Sequence, residues 1–330
     1  MPDPSPGGAG PRPAAASQAA TGDGHRSGFV SLIGRPNAGK STLLNALVGD
    51  KLAIVSSKPQ TTRTMIQGVL TTPDAQVVFL DTPGIHKSDT LLNRRMMHTV
   101  RDALEGRDLI LFLADASAKP TADDRKAIDV LQRVDSPVFL VLNKIDRVSD
   151  KRLLLPCIEQ YRSVREFAEY IPVSALTSDG LDELKRAIFA ALPEGPEYFP
   201  ADYLTDQPER FLASELIREK ILAETRQEVP HAVTVIVEQW EDTPGGLLRI
   251  AASIVIERTG QKAILIGSKG AMLKKIGTVA REEMERIFSR RIYLDLHVRV
   301  RPNWREDPEF VGALDWRGNV GMDMESPAEE

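Results

Sequence analysis

The chain has 330 residues, 42% of them apolar, a single cysteine and a formal net charge of −5. That length suits about two domains, the lone Cys157 excludes an internal disulfide framework, and no apolar run approaches the roughly 18 residues needed to cross a bilayer. The charge is uneven: 13 basic and 5 acidic residues lie between Arg249 and Arg305, a net of +8 within an acidic chain, which points to a polyanionic partner for that segment.

In chain order, residues 1–27 are rich in Pro, Ala and Gly and lack the charged-then-apolar order of a signal peptide. They read as a disordered arm on a cytoplasmic protein. From residue 28 to 192, short apolar runs alternate with helical patterns: FVSLI (29–33), VVFLD (77–81), LILFLA (109–114), VFLVL (138–142) and IPVSA (171–175). Such strands predict an α/β domain with a mostly parallel sheet covered by helices on both faces. Prolines at 193, 196, 200 and 208 mark 193–208 as a linker.

Residues 209–305 predict a smaller α+β domain. A helical pattern over 211–223 precedes two strand-like runs, HAVTVIVEQW (231–240) and LLRIAASIVIE (247–257), joined by the hairpin-type turn EDTPGG. QKAILIG and a long helix to Phe288 follow, in which Leu273, Ile276, Ala280, Met284 and Ile287 form one buried face, and then the strand IYLDLHVRV (292–300). Residues 306–330 are acidic and mostly polar and read as a flexible tail.

The chemistry begins at GRPNAGKS (34–41), which fits G-x-x-x-x-G-K-[ST] between a strand and a helix. Gly34, Arg35, Pro36, Asn37, Ala38 and Gly39 are expected to wrap the phosphates, the glycines letting the available backbone N–H groups curl around their oxygens. Lys40 adds a charge to the outer phosphates, the Ser41 hydroxyl can ligate Mg2+, and the helix start through Thr42 adds its own partial positive charge. The loop is expected to hold a nucleoside triphosphate.

DTPG (81–84) closes the strand VVFL. Asp81 there can hold Mg2+ directly or through water, and beyond Thr82 and Pro83, Gly84 permits backbone approach to the γ-phosphate. KPQTTRT (58–64) is polar and has no strand periodicity. A hydroxyl from Thr62, or alternatively Thr61, that reaches Mg2+ only when a γ-phosphate is present would make this segment a switch. NKID (143–146) selects the base: Asp146 can accept from guanine N1–H and its 2-amino group and would repel adenine. Asn143 and the Lys144 stem brace the base, and Ser174, Ala175 and Leu176 offer backbone N–H groups to its oxygen. The ligand is therefore GTP or GDP with Mg2+, and NKID argues against an ATP-dependent kinase.

In the second domain, Gly267-Ser268-Lys269-Gly270 lies between two helical stretches at the head of the basic segment. A G-x-x-G loop with a lysine lets phosphates approach the backbone, while the flanking helices and strand frame an apolar groove for unpaired bases. Lys269, Lys274 and Lys275 are expected on the RNA backbone, and Ile266 and Leu273 in the groove. This context resembles a KH domain.

GRPNAGKS, KPQTTR, DTPG, NKID and SAL, in this order and ahead of a hairpin-first KH-like segment, resemble the Era-like family of translation-factor-related GTPases from about residue 29 to 305. The resemblance implies a P-loop GTPase domain followed by a type II KH domain. It further implies a monomer that binds the 3′ end of 16S ribosomal RNA and assists assembly of the 30S subunit. An alternative is a switch whose second domain meets a protein or the inner face of the cell membrane in cell-cycle regulation, although Glu282, Glu283 and Glu285 among the bases do not suit a membrane-lying helix. Related GTPases use a glutamine after the DTPG glycine to orient water; here Ile85 cannot. Asn37 matches the loop asparagine that ligates K+ in a subset of relatives, or else it only supports the loop. Lys40, Asn37, Thr62 and Gly84 are thus the expected catalytic set. Thr64 stands where family members often carry histidine, and His86 and His98 are given no role.

Overall fold

A computed structural model describes residues 24–85, 90–226 and 229–317. Most of the expected arm, residues 1–23, and residues 318–330 of the expected tail lie outside the described residues, as does His86. The first domain holds a six-stranded sheet in the order β2-β3-β1-β4-β5-β6. Its strands are β1 (Arg26–Ile33), β2 (Ile66–Thr71), β3 (Ala75–Asp81), β4 (Leu109–Asp115), β5 (Val138–Asn143) and β6 (Glu169–Pro172). All neighbouring pairs are parallel except β2–β3. The helices α1 (Lys40–Val48), α2 (Leu91–Asp102), α3 (Ala122–Val130), α4 (Leu154–Arg162) and α5 (Leu181–Ala191) cover it. One core holds Leu44, Phe79, Val141 and Leu184; another holds Phe112, Ala127, Leu140 and Tyr161.

Several expectations are corrected. The strand β2 (IQGVLT) has no counterpart in the sequence reading. The arm ends before Arg26, because Arg26 and Ser27 already pair with Ala75 and Gln76. IPVSA leaves the ladder at Pro172, and residues 173–175 bend into a loop at the sheet's carboxyl edge. The 193–208 segment lies on the first domain: Gln76 exchanges hydrogen bonds with the Tyr198 and Phe199 backbone, and Val69 N donates to Leu204 O at 2.8 Å.

The second domain contains α6 (Glu209–Glu224), the short α7 (Val229–Ala232), β7 (Thr234–Asp242), β8 (Leu247–Ile256), α8 (Thr259–Ile266), α9 (Ala271–Phe288) and β9 (Arg291–Val300). Its sheet runs β7-β8-β9, antiparallel then parallel. The first strand starts at Thr234 rather than 231 because His231 and Ala232 complete α7. Leu216, Ile221, Ile250, Ile276, Ala280 and Met284 form the core beneath α6 and α9.

The tail reading also needs correction. After Val300 the chain forms α10 (Pro308–Ala313), and Trp304, Phe310 and Val311 are buried against Leu92 and Met96 of α2 and Val255 of β8. These apolar side chains anchor residues 304–314 between the domains, so the expected tail does not begin at 306. Arg63 Nη1 donates to Val233 O across the same interface at 2.7 Å. Among the described residues no helix is long and apolar enough to cross a membrane.

Candidate nucleotide and RNA sites

Residues 34–39 bridge β1 and α1 at the carboxyl edge of the parallel strands, where open α/β sheets bind ligands. Gly39 has φ +99°, and a Cβ there would land on the Asn143 side-chain amide. At Gly84 a Cβ would stand 2.8 Å from Pro36 Cα. The phosphate loop, DTPG and NKID are therefore in contact, although more than a hundred residues separate the first from the last.

Lys40 is buried, and its Nζ donates to the carbonyls of Gly34 and Arg35, each at 3.2 Å. Burial, opposed by Asp81, pushes its pKa down to about 8. A buried ammonium whose hydrogen bonds go to neutral carbonyls is a strong attractor for phosphate oxygens.

Beside it, Ser41 Oγ donates to Asp81 Oδ2 at 2.6 Å and lies 2.8 Å from Thr62 Oγ1, which is itself 3.3 Å from Asp81 Oδ2. Asp81 is fully buried, its Oδ1 meets no donor, and burial pushes its pKa up to about 6 despite Lys40. A divalent cation would supply the missing neighbour. Two hydroxyls and one carboxylate fit Mg2+, which takes few protein ligands and completes its shell with substrate phosphates and water. Thr61 Oγ1 instead donates to Lys58 O at 2.6 Å, so Thr62 is the hydroxyl that faces the cluster. Thr82 Oγ1 is occupied by Leu32 O at 2.8 Å, and Pro83 and Ile85 are buried beside it.

The base-side loops are braced by Asn143. Its Nδ2 donates to Ala38 O at 3.0 Å, and its Oδ1 accepts from the backbone N–H of Lys144 at 2.8 Å and Ala175 at 3.0 Å. Lys144, at φ +68°, donates to Asn37 O at 2.6 Å and to Asp115 Oδ2 at 2.8 Å. Asp146 is exposed at the mouth and accepts from Ser174 Oγ at 2.7 Å, with exposed Leu176 nearby in the chain. Arg35 turns away from the cradle to Asp124, at 3.2 Å, and Asp115, so only its backbone is available there. Asn37 Nδ2 donates to Ser57 O at 2.8 Å. The sequence reading missed Asp115; its signal was an acid at the end of the strand LILFLA.

At the second site, Gly267, Lys269 and Gly270 all have positive φ, and Ser268 and Lys269 stand exposed at the tip between α8 and α9. Behind the tip, α9 and β9 frame a groove of about 370 Å3 lined by Leu273, Lys274, Gly277, Arg281, Leu294 and Leu296. Gly277 and Arg281 follow Leu273 by four and eight residues on one helix face, a spacing that could have revealed them. Of the other expected contacts, Ile266 is partly buried against the domain core, and Lys275, largely exposed, pairs through Nζ with Glu224 Oε2 of α6 at 2.7 Å.

Two family models, curated relatives and solved structures resemble this chain. Residues 29–144 match the family model described as 50S ribosome-binding GTPase, and residues 228–305 match the KH domain model. The GTPase Era of Geobacter metallireducens is 51% identical over 290 residues, covering 88% of this chain and 97% of that protein. That of Heliobacterium modesticaldum is 51% identical over 286 residues, covering 87% and 95%. An Aquifex aeolicus Era variant bound to GDP·AlF4− superimposes with a TM-score of 0.85 at 40% identity, covering 88% of this chain and 99% of that one. Era in complex with MgGDPNP and nucleotides 1506–1542 of 16S ribosomal RNA gives 0.86 at 40% identity, with the same coverage. With a P-loop cradle, a guanine-side NKID loop and a KH groove in one chain, this protein belongs to the Era family of GTPases.

Proposed function

We propose that this GTPase binds the 3′ end of 16S ribosomal RNA through the tip at 267–270 and the α9–β9 groove, and that it assists assembly of the 30S subunit in the cytoplasm as a monomer. The observation that carries the reading is the likeness, over 88% of the chain, to Era holding both MgGDPNP and that RNA segment.

In the proposed site the triphosphate lies over residues 34–42, with Lys40 on its outer oxygens and the Gly84 backbone beside the γ-phosphate. Asp146 accepts from guanine while Asn143, Lys144 and the Ser174–Leu176 loop hold the base. Mg2+ would be held by Ser41 and Thr62, with Asp81 directly or through water, and would neutralise charge on the β- and γ-oxygens. A water oxygen attacks the γ-phosphorus, the bond to the bridging oxygen breaks, and GDP leaves with that electron pair. Ile85 cannot orient the water. K+ beside Asn37 would stabilise the developing charge; Asn37 Nδ2 donates to Ser57 O, one residue ahead of the switch segment. Turnover in potassium is expected to exceed turnover in sodium, and Asn37→Ala should erase the difference.

The reading is tested by measuring binding of a 3′-end ribosomal RNA oligonucleotide to the GDPNP and GDP forms, with anionic vesicles as comparator. Tighter RNA binding in the GDPNP form is expected. Vesicle binding that matches or exceeds RNA binding at physiological salt would sink it.

A further inference from the structure

We infer that Arg218, on α6 of the RNA-binding domain, is a positioning residue for GTP: it holds the switch segment so that Thr62 faces the magnesium site. The inference rests on the reading of Thr62 as a magnesium ligand. Arg218 is 1% exposed, although it belongs to a charged run, Arg218-Glu219-Lys220. Its Nη1 donates to Gln60 O at 3.4 Å and its Nη2 to Thr61 O, the carbonyl directly before Thr62. Glu215 steadies the guanidinium, accepting from Nε at 2.7 Å and Nη2 at 2.5 Å.

The next residue holds the chain just ahead of that segment. Glu219 Oε1 accepts from Val55 N at 2.8 Å, and its Oε2 from Lys51 Nζ at 2.7 Å. Lys51 also reaches Glu283 of α9 at 2.6 Å. Two consecutive residues of α6 therefore clamp residues 55 and 61. Between them Gln60 sits at φ +60°, a left-handed conformation that a non-glycine residue keeps only when its surroundings hold it there. Fixing the Thr61 carbonyl fixes the peptide plane that leads into Thr62, and so the direction of its hydroxyl towards Ser41 and Asp81.

The consequence is specific to one nucleotide. Lys40, Asp146 and Asn143 are placed to serve GDP and GTP alike, whereas a Thr62 contact that needs the γ-phosphate serves GTP alone. Loss of the clamp should therefore cost GTP and spare GDP. By reciprocity, GTP should tighten the docking of α6 on the switch segment.

The test is calorimetric titration of the full chain with GDPNP and with GDP in magnesium, for Arg218→Ala, Arg218→Lys and Thr62→Ala. Arg218→Ala is expected to weaken GDPNP about tenfold while GDP stays within about twofold, and Arg218→Lys, keeping one donor arm, should fall between it and the parent. Equal losses for the two nucleotides, or none, overturn the inference. Should the alanine variant fail to bind GDP, the lysine variant decides by the same ratio. Thr62→Ala separates the two levels: if it leaves the GDPNP-to-GDP ratio unchanged, the magnesium reading falls. If it shifts that ratio and neither Arg218 variant does, only the clamp falls.

Discussion

In the nucleotide cradle, Lys40, Asp81 and Asn143 are 6%, 0% and 2% exposed; Lys40 is held by carbonyls of its own loop, and Asp81 and Asn143 by groups from other loops. In the groove behind Gly267–Gly270, Lys269 and Lys274 stand in solvent and Arg281 is half-buried. One is a buried set of polar groups bonded to one another, and the other an open, charged face. Burial strengthens each contact in the first and makes it irreplaceable. In the second, contacts are screened, numerous and closer to additive.

The largest expected effect breaks the link between the two regions. Trp304→Ala removes a fully buried ring whose Nε1 donates to Ala232 O at 3.0 Å and which lies under the Arg63 guanidinium. It should destabilise the chain by about 3–5 kcal/mol, read by denaturant unfolding. Lys40→Ala comes next. Removing the buried ammonium should weaken GTP binding about 100-fold, by calorimetry, while RNA binding without nucleotide is kept. Gly267→Asp with Gly270→Asp is the mirror experiment: RNA affinity should drop about 30-fold by fluorescence anisotropy, with GTP affinity retained. The smallest effect sharpens the contrast. Raising salt from about 50 to about 200 mM should lower RNA affinity about tenfold and GTP affinity less than about threefold, because the buried cradle is screened less. Equal salt dependence at the two sites would contradict the contrast itself.

The P-loop, DTPG and NKID could be read directly because each is a short run whose residue types and spacing are its chemistry, and each follows an apolar strand that ends at the same sheet edge. The choice between Thr61 and Thr62 could not be, since two adjacent hydroxyls differ only in where the backbone aims them. The surroundings of Ile266 and Lys275 were hidden for a similar reason. Helical spacing gives a face, but not whether that face meets groove, core or, as for Lys275, the Glu224 carboxylate. The strand β2 was missed because its antiparallel pairing with β3 depends on the turn at 72–74, not on a long apolar run.

Composition and local motif alone determined that this chain has a guanine-nucleotide cradle and a basic, G-x-x-G-bearing second domain, because backbone N–H geometry, a lysine and a carboxylate at set spacings leave little else they can do. Tertiary structure alone decided that residues 304–314 pack against α2, that Arg218 grips the switch segment and that Glu219 holds Val55 just ahead of it. Those contacts join groups more than a hundred residues apart, and a buried charge finds its partner only once the chain between them has folded.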